Sequence, residues 1–142
     1  MKPVAIIIFG ILINFLFAQD VTGKWKTIDH ETGEAKSIVE IYKKDGKIYG
    51  KIVEVLNKEN PEKLICDECP EPWKNQPIVG LVIINGFEDD GDGEWAGDDA
   101  LFSPKKKEVY DGKLWREGDV LFVRGYLGWF HATQEWQKVK EK

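Results

Sequence analysis

Two histidines, two cysteines and two serines are all that 142 residues supply of the side chains that most often carry catalysis. Ser37 and Ser103 sit in no strained strand-to-helix elbow, and His30 and His131 each stand alone, so no nucleophile and base are paired in sequence. A zinc centre would need two ligands beyond Cys66 and Cys69, and neither histidine lies at ligand spacing from them. No glycine-rich phosphate loop follows a strand pattern. Clustered excess Lys and Arg are also lacking: the formal charge is −5, and the one dense basic run, Lys105-Lys106-Lys107, is answered by Glu108 and by acids upstream. Phosphate backbones need the opposite balance, which excludes nucleic acid as a natural partner. An enzyme is unsupported by any of these residues, though not excluded.

A long apolar run is absent too. Val4 to Phe17 carries no charge and only Asn14 as a polar interruption, after Met1-Lys2-Pro3. That is shorter than the roughly 20 residues a spanning helix needs, and it ends in Ala18 followed by polar residues. The expectation is a signal peptide over 1–18, cleaved after Ala18 despite a bulky Leu16 two residues earlier, with a single domain over 19–142. An uncleaved membrane anchor is the less favoured alternative. Cleavage would remove Lys2, take the formal charge from −5 to −6, and leave a periplasmic or secreted protein with no stable membrane span. No Cys follows the run to accept a lipid.

What remains is rich in period-two patterns and poor in helical spacing, repeats and linkers. Lys36 to Lys44 and Lys47 to Leu56 flank Asp45-Gly46, and Val109 to Arg116 and Val120 to Tyr126 flank Glu117-Gly118-Asp119; both read as hairpins. Val21 to Ile28, Ile78 to Asn85, a piece near Ala100 to Phe102, and Ala132 to Val139 complete about eight strands. The spacing predicts an all-β, up-and-down antiparallel barrel whose last strand meets its first. Asn57 to Pro77 and Gly86 to Asp99 read as irregular stretches too polar for core.

Three stretches could carry chemistry. In an oxidising compartment Cys66-Asp67-Glu68-Cys69 is expected to close a local disulfide; a redox centre would want a helix N-terminus and no acids between the thiols. Glu88, Asp90, Asp92, Gly93 and Asp99 match positions 1, 3, 5, 6 and 12 of a calcium loop. Both end residues are of the wrong type, however, and an acidic turn is the plainer reading, with calcium kept as a possible cofactor. Gly23-Lys24-Trp25 looks like a lipocalin signature, in which an indole closes one barrel end beneath an Arg from a late strand. Arg124 is the expected partner. If the barrel is hollow, Trp25, Tyr42, Phe122, Tyr126, Trp129, Phe130 and Trp136, with Arg124, are candidate ligand-binding residues for a small apolar or amphipathic molecule. If large side chains fill it, function moves to the surface. An enzyme acting on an envelope component is the alternative, and the oligomeric state is open.

The chain resembles an uncharacterised bacterial secreted family, domain of unknown function 2147. The stretches that carry the likeness are Val21 to Trp25, Ser37 to Tyr42, Gly50 to Ile52, Cys66 to Cys69, Gly91 to Gly93, Val123 to Tyr126 and Thr133 to Trp136. The resemblance implies an exported, calycin-like barrel and no established activity. Ser103-Pro104 and His131-Ala132 depart from the Asp-Pro and Gly-Arg pairs usual in the family at those places.

Overall fold

A computed structural model describes residues 19–140, together with Pro3 and Gly10. The expected leader, 1–18, otherwise lies outside the described residues. Eight strands, β1 (Gly23–Ile28), β2 (Ala35–Lys44), β3 (Lys47–Val55), β4 (Val82–Gly91), β5 (Glu94–Ser103), β6 (Glu108–Glu117), β7 (Val120–Leu127) and β8 (Phe130–Lys138), pair in chain order into a closed antiparallel barrel. The up-and-down order follows from the turns. Asp45 and Gly46 both take positive φ, as do Asp92 and Gly93, the conformation that matches a two-residue turn to strand twist. Among the described residues no helix is long and apolar enough to cross a membrane.

The β4–β5 hairpin corrects the sequence reading. Gly86 to Asp99, expected to be irregular, supplies most of two strands, and β4 starts at Val82 rather than Ile78. Apolar alternation is hidden there because the outer positions carry acids while Phe87 and Trp95 are the few large apolar residues between them.

Register decides which side chains face inward, because directly paired residues share a face. The inner set runs through Trp25↔Val39, Ile41↔Gly50, Gly50↔Ile84, Ile48↔Phe87, Leu114↔Val123 and Leu121↔Trp136. These residues form the core, and each large one buried contributes about 1.5–3 kcal/mol. Gly97, Gly112 and Gly125 lie side by side on β5, β6 and β7. Their missing side chains make the room that Phe87 and Leu101 occupy: a Cβ on Gly112 would stand 2.5 Å from Phe87 Cζ and 2.9 Å from Leu101 Cβ. The barrel is therefore filled by its own side chains, and no polar side chain is buried among the described residues.

One end is plugged by the segment before β1. Trp25 is fully buried and its Nε1 donates to the Val21 carbonyl at 2.9 Å. Gly23 takes φ +122°, a conformation that other side chains rarely adopt, which accounts for the glycine of the Gly-x-Trp motif. The cation expected above the indole is present but is not Arg124. Arg116 lies 5.3 Å and Lys138 Nζ 5.0 Å from the Trp25 ring. Arg116 also donates to the carbonyls of Asp20 and Gly118. Arg124 shares the face of Phe122 and Tyr126, which is the outer one, and packs over Trp115 at 5.0 Å.

Candidate functional site

With the interior filled, concave surface is found on the outer wall. An aromatic groove, about 270 Å³, is walled on one side by Tyr42 and Tyr49 and on the other by Pro72, Trp73 and Gln76, over a floor of Gly80, Val82 and Asn85. Tyr42 and Tyr49 are direct cross-strand partners with ring centroids 5.7 Å apart and planes within 18°. Both stand one residue out of phase with the buried Ile41 and Ile48, which is why they face outward. Lys44 is the single charged side chain in the lining. Lys51 Nζ lies 5.9 Å from the Tyr42 ring.

The opposite wall is an arm from Asn57 to Leu81, built around the expected disulfide. Cys66 and Cys69 are bonded and both are buried. Cys66 donates its N–H to Gln76 and accepts from Asn75, and Ile78 donates to Leu64, which folds the arm back on itself. Trp73 fastens it to the barrel: its Nε1 donates to the Val82 carbonyl at 2.9 Å and its ring stacks on Phe102 at 4.1 Å with planes 6° apart. Sequence pattern alone does not mark this arm or Trp73 as functional. The signal available was the spacing of Trp73 four residues after Cys69 in an otherwise polar stretch.

A second groove, about 350 Å³, lies over the glycine row and is lined by Asp90, Asp98, Asp111, Lys113 and Tyr126. Lys113 Nζ stands 2.6 Å from Glu94 and 3.5 Å from Asp90. The hydrogen bond to Glu94, reinforced by the negative charge of both acids, pushes the Lys113 pKa up. Asp111 accepts the Asp99 backbone N–H.

The residues expected to line a barrel cavity divide by face. Trp25 and Trp136 are inside and part of the core; Tyr42, Phe122, Arg124 and Tyr126 are on the outer wall. Trp129 and Phe130 are at the β7–β8 turn, with Trp129 95% exposed. Only Tyr42 reaches the aromatic groove. The proposed calcium set is spread along the β4–β5 hairpin rather than wrapped into a loop: Glu88 turns to Lys47, Asp90 to Lys113, and Asp92 occupies the turn. Among the described residues no three His, Cys, Asp or Glu side chains are grouped to hold a metal.

A model of a family described as uncharacterized protein conserved in bacteria (DUF2147) matches residues 23–138. No curated protein matches the chain. Among solved structures, protein HP1028 from Helicobacter pylori, described as belonging to the lipocalin family, superposes with a TM-score of 0.72 at 16% identity, covering 86% of this chain and 84% of that one. At that identity the likeness speaks for the fold.

Proposed function

Since the chain belongs to the DUF2147 family and folds as a lipocalin-like barrel, we propose that it is an exported binding protein that holds a small amphipathic ligand on its outer wall rather than inside. The observation that carries this reading is the aromatic groove between Tyr42–Tyr49 and Pro72–Trp73, on a barrel whose interior is occupied by Phe87 and Leu101. Small-molecule sites are typically aromatic-lined concavities with a few placed polar groups. Here the two tyrosines and Trp73 offer flat apolar surface, Asn85 and Gln76 offer amide hydrogen bonds, and Lys44 supplies one positive charge. The complementary ligand has a flat or extended apolar body and an anionic head. Export supports the reading because the Val4 to Phe17 run and the Cys66–Cys69 disulfide both suit an oxidising envelope compartment. An enzyme would be favoured by a buried carboxyl facing a cleft, and none is found among the described residues.

Native mass spectrometry of protein recovered from its own cell envelope tests this directly. A retained small molecule, lost in Tyr42→Ala and weakened in Lys44→Ala, is the expected result. Protein that carries nothing, or a ligand whose retention ignores both substitutions, would overturn it.

A further inference from the structure

The β1–β8 seam that closes the barrel is short. It pairs only Trp25 with Lys138 and Lys26 with Gln137, whereas β8 continues back to Phe130. The hairpin register shows which way the unpaired stretch points. Behind the two-residue turn Gly128-Trp129, the even-numbered residues from Phe130 to Trp136 exchange backbone bonds with β7, and the odd-numbered ones aim theirs away. Two bonds at the strand's end confirm the phase: Lys138 donates across to Asp119, while Val139 donates to Lys24 on the far side. His131, Thr133 and Glu135 therefore present an open row of backbone donors and acceptors, such as edge strands use to recruit another chain. His131 and Glu135 are exposed.

We propose that this edge is a self-association surface and that its occupant is a second copy of the chain, paired antiparallel about a two-fold axis at Thr133. Two features of the edge choose that partner. First, Gly125 to Gln134 contains no Asp, Glu, Lys or Arg, in a chain that is 32% charged and carries −5 overall. Two copies can approach with no like charges opposed within this stretch, and Arg124 of the neighbouring strand, whose Nε donates to Thr133 Oγ1 at 2.8 Å, is the charged side chain beside the axis. Second, the row is self-complementary. With Thr133 on the axis, every outward-pointing residue meets an outward-pointing partner, and His131 faces Glu135 of the partner subunit twice, an imidazole N–H against a carboxylate. The same contact brings the exposed tip of each hairpin, Leu127, Trp129 and Phe130, against the other barrel and removes these apolar side chains from water.

Sedimentation velocity of the exported protein over a concentration series reads the outcome. The expected result is a monomer–dimer equilibrium with the mass of two chains at the upper end. Thr133→Pro should return a monomer with the far-ultraviolet circular dichroism of the barrel intact, because the lost N–H points away from β7. Glu135→Arg should also give a monomer, and adding His131→Glu to it should restore the dimer by exchanging the pair. That rescue holds the idea to account even if the proline variant fails to fold. A monomer at every concentration would overturn it, as would a dimer indifferent to both single substitutions. So would monomeric protein whose Trp129 emission shifts to the blue on phosphatidylcholine vesicles, since the tip would then serve a bilayer.

Discussion

Trp25 concentrates more of the barrel's end closure than any other residue, since it is wholly buried, hydrogen-bonded to Val21 and approached by two cations. Trp25→Ala should cost about 3–5 kcal/mol in denaturant unfolding, as large core truncations do. Arg116→Ala should cost less, and the double variant should fall short of the sum by at least about 0.5 kcal/mol, because the two side chains share one contact. Arg124→Ala should be additive with Trp25→Ala, which makes it the control. At Gly112 the expected effect is opposite in kind. Gly112→Ala overfills the barrel against Phe87 and should destabilise by about 1–3 kcal/mol. Phe87→Leu in the same chain should recover part of that loss; if thermal melts show no recovery, Phe87 is not what the glycine makes room for.

Among the elements, the arm from Asn57 to Leu81 owes its shape to one short covalent link and one indole. Replacing Cys66 and Cys69 together by serine should loosen the arm and shift Trp73 emission to the red while the barrel's circular dichroism persists. The stability lost should be under the ~3 kcal/mol typical of a 15-residue loop, as the closed loop is much shorter. The disulfide was legible in the sequence because two close cysteines behind an expected export signal leave few alternatives. The hairpins at Asp45-Gly46 and Gly118 were legible for the same kind of local reason, and so was the closed meander they imply. The outward face of Arg124 is hidden in the sequence because β7 is apolar on both faces: Leu121 and Val123 suit a core no better in sequence than Phe122 and Tyr126 do. Only the register with β6 and β8 settles the phase. The β4–β5 hairpin escaped notice because Glu88, Asp89 and Asp90 outweigh a single Phe87 in any local window, although that one ring occupies the centre of the barrel. The outer groove joins residues more than thirty positions apart and leaves no local trace.

At the scale of the whole molecule, stability should decline in strong alkali. Tyr110 has its pKa pushed up to about 12 by partial burial and by its 2.7 Å hydrogen bond to Glu108. A folded pKa above the unfolded value means the folded state holds its proton more tightly. That contribution is whole below about pH 10, the ordinary tyrosine value, and is lost as pH rises from there toward 12. Ultraviolet difference titration should show one tyrosine ionising late, and Glu108→Gln should bring it forward. The closure at Trp25 bears finally on time as well as on space. A ribosome delivers this chain from its N-terminus, so Trp25 emerges among the first strands, while Arg116 and Lys138 arrive with the last. Until β8 arrives β1 has one neighbour, and the plug lacks one of the two cations that cover it. No shorter prefix of the chain is a smaller barrel. Closure has to wait for β8, and a chain held open for that long is in the state a translocation pore can thread.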